Sequence, residues 1–125
     1  MTPTAFRRIA LSMPDAVESS HMGHADFRVG GKIFATLGWP DERWAMVKLK
    51  PEQQAQLVAA APDLFVPVAG GWGRRGSTNV LLAVAEKSAV KDALATAWEN
   101  VAAKSSAKRG GGRRRPPSTG PFNPP

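Results

Sequence analysis

Apolar residues in the first fifteen positions recur at helical spacing: Phe6, Ile9, Ala10 and Met13 fall on one side of a 3.6-residue period. Thr2-Pro3 supplies the start, a hydroxyl N-cap followed by proline in the first turn, and Pro14 supplies the stop. Arg7 and Arg8 lie off the apolar stripe and read as a solvated face. Residues 15–24 show no apolar period and read as a polar connection. The period then changes to two. Asp26-Phe27-Arg28-Val29, Lys32 to Leu37 and Trp44 to Leu49 alternate like strands, separated by Gly30-Gly31 and by Gly38-Trp39-Pro40-Asp41-Glu42. They predict an antiparallel meander.

Pro51 and Glu52 open a second helical stretch with Gln54, Leu57, Val58 and Ala61 inward, and Pro62 closes it. Phe65-Val66-Pro67-Val68 is extended, and Pro67 places it at a sheet edge, because proline donates no ladder hydrogen bond. A glycine-rich loop, Gly70 to Ser77, leads into a strand over Thr78 to Val84. The last helix runs from Glu86 or Ser88 to Ala103, with Ala89, Val90, Ala93, Leu94, Ala97, Trp98 and Val101 as its stripe. From Lys104 the sequence turns to Lys, Ser, Gly, Arg and Pro, which bury too little apolar surface to offset ordering entropy. The expected architecture is therefore α+β: a small antiparallel sheet with flanking helices over residues 1–103, followed by a basic disordered tail over 104–125.

Charge sharpens that division. The chain of 125 residues carries a formal net charge of +7. Six of its 17 basic side chains (Lys104, Lys108, Arg109, Arg113, Arg114 and Arg115) lie in the tail, leaving 11 against 10 acidic ones elsewhere. The body is nearly neutral, and the high isoelectric point belongs to the tail. With no cysteine, disulfides, thiolate metal sites and cysteine nucleophiles are excluded. The start of the chain lacks the apolar core of a secretory signal, and the longest apolar run, Val80 to Ala85, has strand length. A cytoplasmic monomer without a membrane anchor is expected.

Several stretches together resemble the MmcQ/YjbR-like family. They are Phe6 to Pro14, His21 to Val29, Gly30 to Leu37, Val47-Lys48-Leu49 with Pro51-Glu52, Trp72-Gly73 and Ala97-Trp98. The resemblance spans about residues 4–101. It implies a compact α+β fold described as a double wing and compared with DNA-binding domains, and it implies no catalytic residues.

The candidate chemistry lies in four places. His21 and His24, three apart beside Asp26, have too few companions for a metal set and read as hydrogen-bonding groups at the entry to the first strand. The Gly70–Ser77 loop carries Arg74 and Arg75. It lacks the Gly-Lys-Ser/Thr order of a phosphate-binding loop, but suits a hairpin wing whose arginines reach a DNA backbone. Trp44, Met46 and Lys48 share one strand face, and Ala45, Val47 and Leu49 share the other. If the second face packs on helices, Trp44 and Met46 need another cover. That cover is the Trp39 or Trp72 loop, a small ligand or a protein partner, with His24 beside them. The fourth place is the tail, where Lys108-Arg109 and Arg113-Arg114-Arg115 form a polycation suited to DNA or another polyanion. Ser12, Ser19, Ser20 and Ser77 have no readable His-Asp arrangement, and no cofactor motif appears. The expectation is a non-enzymatic DNA-binding protein; the alternative is a small-ligand or protein-interaction module.

Overall fold

The structure is a computed structural model that describes residues 1–21 and 23–110; for His21 and residues 105–110 it describes the backbone. Helix α1, Pro3–Leu11, begins as expected, with the Thr2 hydroxyl accepting from the Ala5 N–H at 3.1 Å. Strands β1 (Val17–His21), β2 (His24–Val29), β3 (Lys32–Leu37) and β4 (Trp44–Lys48) follow. Helix α2 is Pro51–Ala60, β5 is Phe65–Pro67, and α3 is a single turn over Gly71–Arg74. Strand β6, Ser77–Leu81, runs into a 3-10 turn at Leu82–Val84, and helix α4 spans Lys87–Gly110.

The strands make one antiparallel sheet in the order β1-β2-β3-β4-β6-β5. Pro67 lies on the edge strand β5 as the missing N–H requires. The other edge, β1, corrects an expectation, because residues 17–21 were read as connection. Val17-Glu18-Ser19-Ser20-His21 has no apolar alternation; the backbone ladder to β2 makes it a strand. Arg7 of α1 reaches across to Glu18 at 3.0 Å, so this pair ties helix to edge strand rather than facing only water.

Helices α1 and α4 pack on one face of the sheet, with α4 crossing β2, β3 and β4. The core lies between them: Phe6, Ile9 and Ala10 from α1; Val90, Ala93, Leu94 and Ala97 from α4; Phe27, Ala35, Leu37, Ala45, Val47 and Val80 from the sheet. Strict alternation would send Phe34 to the opposite face from Ala35. The register of β2 against β3 slips by one residue between Phe27 and Arg28, leaving Phe34 as the extra residue. Such a bulge lets consecutive residues face the same side, and Phe34 and Ala35 are both fully buried.

Helix α4 continues to Gly110, beyond the expected end at Ala103 and into the segment assigned to the tail. Of the tail cations, Lys108 and Arg109 lie on its backbone, whereas Arg113, Arg114 and Arg115 fall outside the described residues. Among the described residues no helix is long and apolar enough to cross a membrane.

Candidate nucleic-acid interface

The face of the sheet opposite α4 is built from the residues that alternate with the core. One row crosses all six strands: Ser19, Asp26, Thr36, Met46, Asn79 and Val66, each paired with the next in the strand ladders. His24 and Trp44 lie toward one end of this face and Lys48 toward the other. Trp44, Met46 and Lys48 are half-buried while Ala45 and Val47 between them are buried, so the division expected for β4 holds.

Two exposed tryptophans stand at opposite ends of this face. Trp39, in the β3–β4 turn, is 58% exposed, and its ring meets the edge of the His24 imidazole with centroids 5.2 Å apart. Trp72, in α3, is also 58% exposed. The Lys48 ammonium lies 5.2 Å from its ring centroid and the Arg75 guanidinium 5.8 Å, both within cation–π range.

The Lys48 corner has an unsatisfied electrostatic environment. Burial pushes the Lys48 pKa down, and the like charges of Lys104 and Lys32 push it the same way. Among the described residues no carboxylate pairs with Lys48, Arg74 or Arg75. The carboxylate in the open row is already committed. Asp26, 1% exposed, accepts from Arg28 at 2.8 and 3.1 Å in a bidentate pair.

The glycine–arginine segment departs from the expected wing. It folds into α3 and packs down on the sheet instead of projecting from it. Gly73 and Gly76 are buried, and a Cβ on either would collide with backbone, at the Val68 carbonyl for Gly73 and the Leu49 carbonyl for Gly76. Their glycines serve this close approach and not an open anion cradle. Gln54 of α2 holds the turn: its Nε2 lies within hydrogen-bond distance of the Gly73 carbonyl (3.0 Å), the Ser77 carbonyl (3.1 Å) and the Thr78 hydroxyl (3.2 Å). Asn100 of α4 bonds the Lys48 carbonyl at 3.2 Å and Gln53 Oε1 at 2.8 Å, fixing the end of β4 on which Lys48 sits. Arg74 and Arg75 remain exposed on α3.

Elsewhere the chemistry is committed to structure. The Ser12 hydroxyl donates to the Ile9 carbonyl at 2.6 Å, and Trp98 Nε1 donates to the Pro14 carbonyl at 2.8 Å. The His21 and His24 backbones pair across the β1–β2 hairpin. Among the described residues no three His, Asp or Glu side chains gather as a metal set. A cleft of about 500 Å³ between α1 and the start of α4, lined by Ala5, Arg8, Ile9, Lys87 and Lys91 among others, lies on the helical side, away from both tryptophan corners.

Comparison with known proteins places this geometry. A family model described as YjbR matches residues 11–100. The chain belongs to the YjbR family. The match includes Trp39, Lys48, Trp72 and Arg75, so both corners lie within the family's region and the basic tail lies outside it. A crystal structure of the Deinococcus radiodurans protein DR2400, assigned to the domain family DUF419, shares the fold with a TM-score of 0.66 at 17% identity. The likeness covers 80% of this chain and 78% of that one. No curated protein matches the chain. The YjbR fold here brings the two sets of residues singled out in the sequence, the arginine loop and the Trp44/Met46 face, onto one surface. The Asp26–Arg28 pair and the contacts of Gln54 were not foreseen. Lys48 was placed on the face by its alternation with Val47; helical spacing turned Gln54 inward but gave no sign of its partners, which are 19 to 24 residues away.

Proposed function

We propose that this YjbR-family protein is a non-catalytic nucleic-acid-binding protein whose folded part engages phosphates through Lys48 and Arg75, with Arg74 beside them. The observation that carries the reading is the exposed Trp72 indole flanked by two cations that no described carboxylate neutralises. Two unpaired cations beside an exposed aromatic ring fit a polyanion bearing flat bases. The tail cations add affinity that is independent of sequence. The non-catalytic part of the reading is supported by the Ser12 hydroxyl, which is tied to a helix carbonyl, and by the His24 imidazole, which packs against Trp39.

The test is equilibrium binding of the full-length protein to DNA across a salt series. Each lost phosphate contact lowers the log–log salt slope by about 0.7–0.9. Lys48→Ala/Arg75→Ala is expected to reduce the slope by nearly two contacts and to weaken binding. Replacing Arg113, Arg114 and Arg115 with serine should reduce it further without removing the contribution of the corner. If the corner variant binds like the wild type while the serine variant loses all affinity, the folded domain is not the reader.

A further inference from the structure

The open face has a shape and a chemistry that select one physical form of nucleic acid. Its two exposed indoles stand at opposite ends of β4. Trp39 packs on His24, which is level with the Trp44 end, and Trp72 packs on Lys48 at the other. Four residue steps of an antiparallel strand separate those ends, or roughly 14 Å. Between them lie half-buried Trp44, Thr36 and Met46, and the carboxylate at these strand positions, Asp26, is bonded to Arg28. In a duplex the base faces are stacked on one another and only their edges are offered in the grooves. Aromatic rings spread along an exposed sheet meet base faces only where the strand is unpaired.

Resting on the nucleic-acid reading above, we infer that the uncovered face of the sheet binds single-stranded nucleic acid, with bases stacking at Trp72 and Trp39 and phosphates neutralised by Lys48 and Arg75. The two ends are unequal. Trp72 has two cations beside it, whereas Trp39 has the His24 ring, so the Trp72 end is the primary station. Trp72 remains 58% exposed with both cations in place, which leaves ring surface for a base. The Asp26–Arg28 pair keeps the middle of the path from repelling the backbone, since its carboxylate is both buried and bonded.

The experiment compares three ligands of equal phosphate number on the full chain: a ~12-nucleotide oligo(dT), the same sugar-phosphate chain without bases, and a duplex, a length within the usual site-size range. Polycation binding by the tail sees little difference between the first two, whereas stacking does. Oligo(dT) is expected to bind at least about 10-fold more tightly than the base-free chain and to quench tryptophan fluorescence. Trp72→Ala should erase most of that ratio and Trp39→Ala a smaller part, while Trp72→Phe should keep some of it. Equal affinity for oligo(dT) and the base-free chain overturns the inference. Tighter binding to duplex, still weakened by Lys48→Ala/Arg75→Ala, also overturns it but leaves the nucleic-acid reading standing. No binding to any of the three at low salt removes both. Sedimentation showing a wild-type dimer that Trp72→Ala dissociates would assign the face to a second copy and overturn the inference as well. The ligand ratio is measured on the wild-type protein, so the test does not depend on any variant folding.

Discussion

Two neighbouring rows of the same sheet differ in almost every chemical respect. The row Ala25, Leu37, Ala45, Val80 and Phe65 lies under the helices, and four of its five side chains are buried. The adjacent row, Asp26, Thr36, Met46, Asn79 and Val66, faces away from α4 and is mixed in polarity, with only Asp26 fully buried. Both rows satisfy the same backbone ladder. The ladder therefore leaves side-chain choice open, and the neighbouring layer decides it. Where α4 lies, volume and apolarity are required, because burial stabilises by roughly 25 cal/mol per Å² of apolar surface. On the face away from α4, a cation, an ion pair between buried Asp26 and partly exposed Arg28, and exposed aromatic rings are tolerated.

Substitutions on the two faces should fail in opposite ways. Phe34→Ala removes a fully buried ring on the helix side. It is expected to cost about 3–5 kcal/mol in chemical denaturation. Trp72→Ala on the other side should change stability by no more than about 0.5 kcal/mol, as befits an exposed residue, while altering ligand binding. A Phe34→Ala loss below that of Trp72→Ala would break the comparison outright.

Gln54→Ala comes next in size. It deprives the Gly73 and Ser77 carbonyls and the Thr78 hydroxyl of a shared donor. We expect a loss of about 1–3 kcal/mol together with faster amide exchange in α3. Unchanged exchange at Gly73 to Gly76 would mean that the α3 corner is held by the sheet and not by α2.

The smallest effect belongs to the turn that carries Trp39. Side-chain hydrogen bonds from Arg43, then its backbone N–H, hold the Asp41 carboxyl down to about 2 from the ordinary 3.8. Because the folded value lies below the unfolded one, this stabilisation is present above the unfolded pKa and is lost as pH falls through about 2. An NMR titration should place the Asp41 midpoint there, and Arg43→Ala should return it toward 3.8. A midpoint that ignores Arg43→Ala would dissolve the pair.

Much of the fold was legible. Thr2 and Pro3 mark the start of α1, the Gly30-Gly31 turn joins β2 to β3, and Pro67 marks an edge, because each acts through its immediate neighbours. Strand β1 was not legible, since a polar edge strand is made by its partner and not by its own pattern. The bulge at Phe34 was hidden for a related reason: a register slip is a property of two strands. The wing failed because glycine signals conformational freedom without saying whether it serves a mobile tip or tight packing, and Gly73 and Gly76 are packed.

The sequence by itself determined the α+β class, the meander, the split of β4 into an apolar and a mixed face, and a body whose charge nearly cancels. Those properties depend on periods of two and 3.6 residues and on composition, which are local. Only the tertiary structure decided which face α4 covers, and that Lys48 and Trp72, 24 residues apart, would meet. That encounter requires β4 to pair with β6 and α3 to fold back on it, and long-range pairing of this kind leaves no periodic trace in either segment.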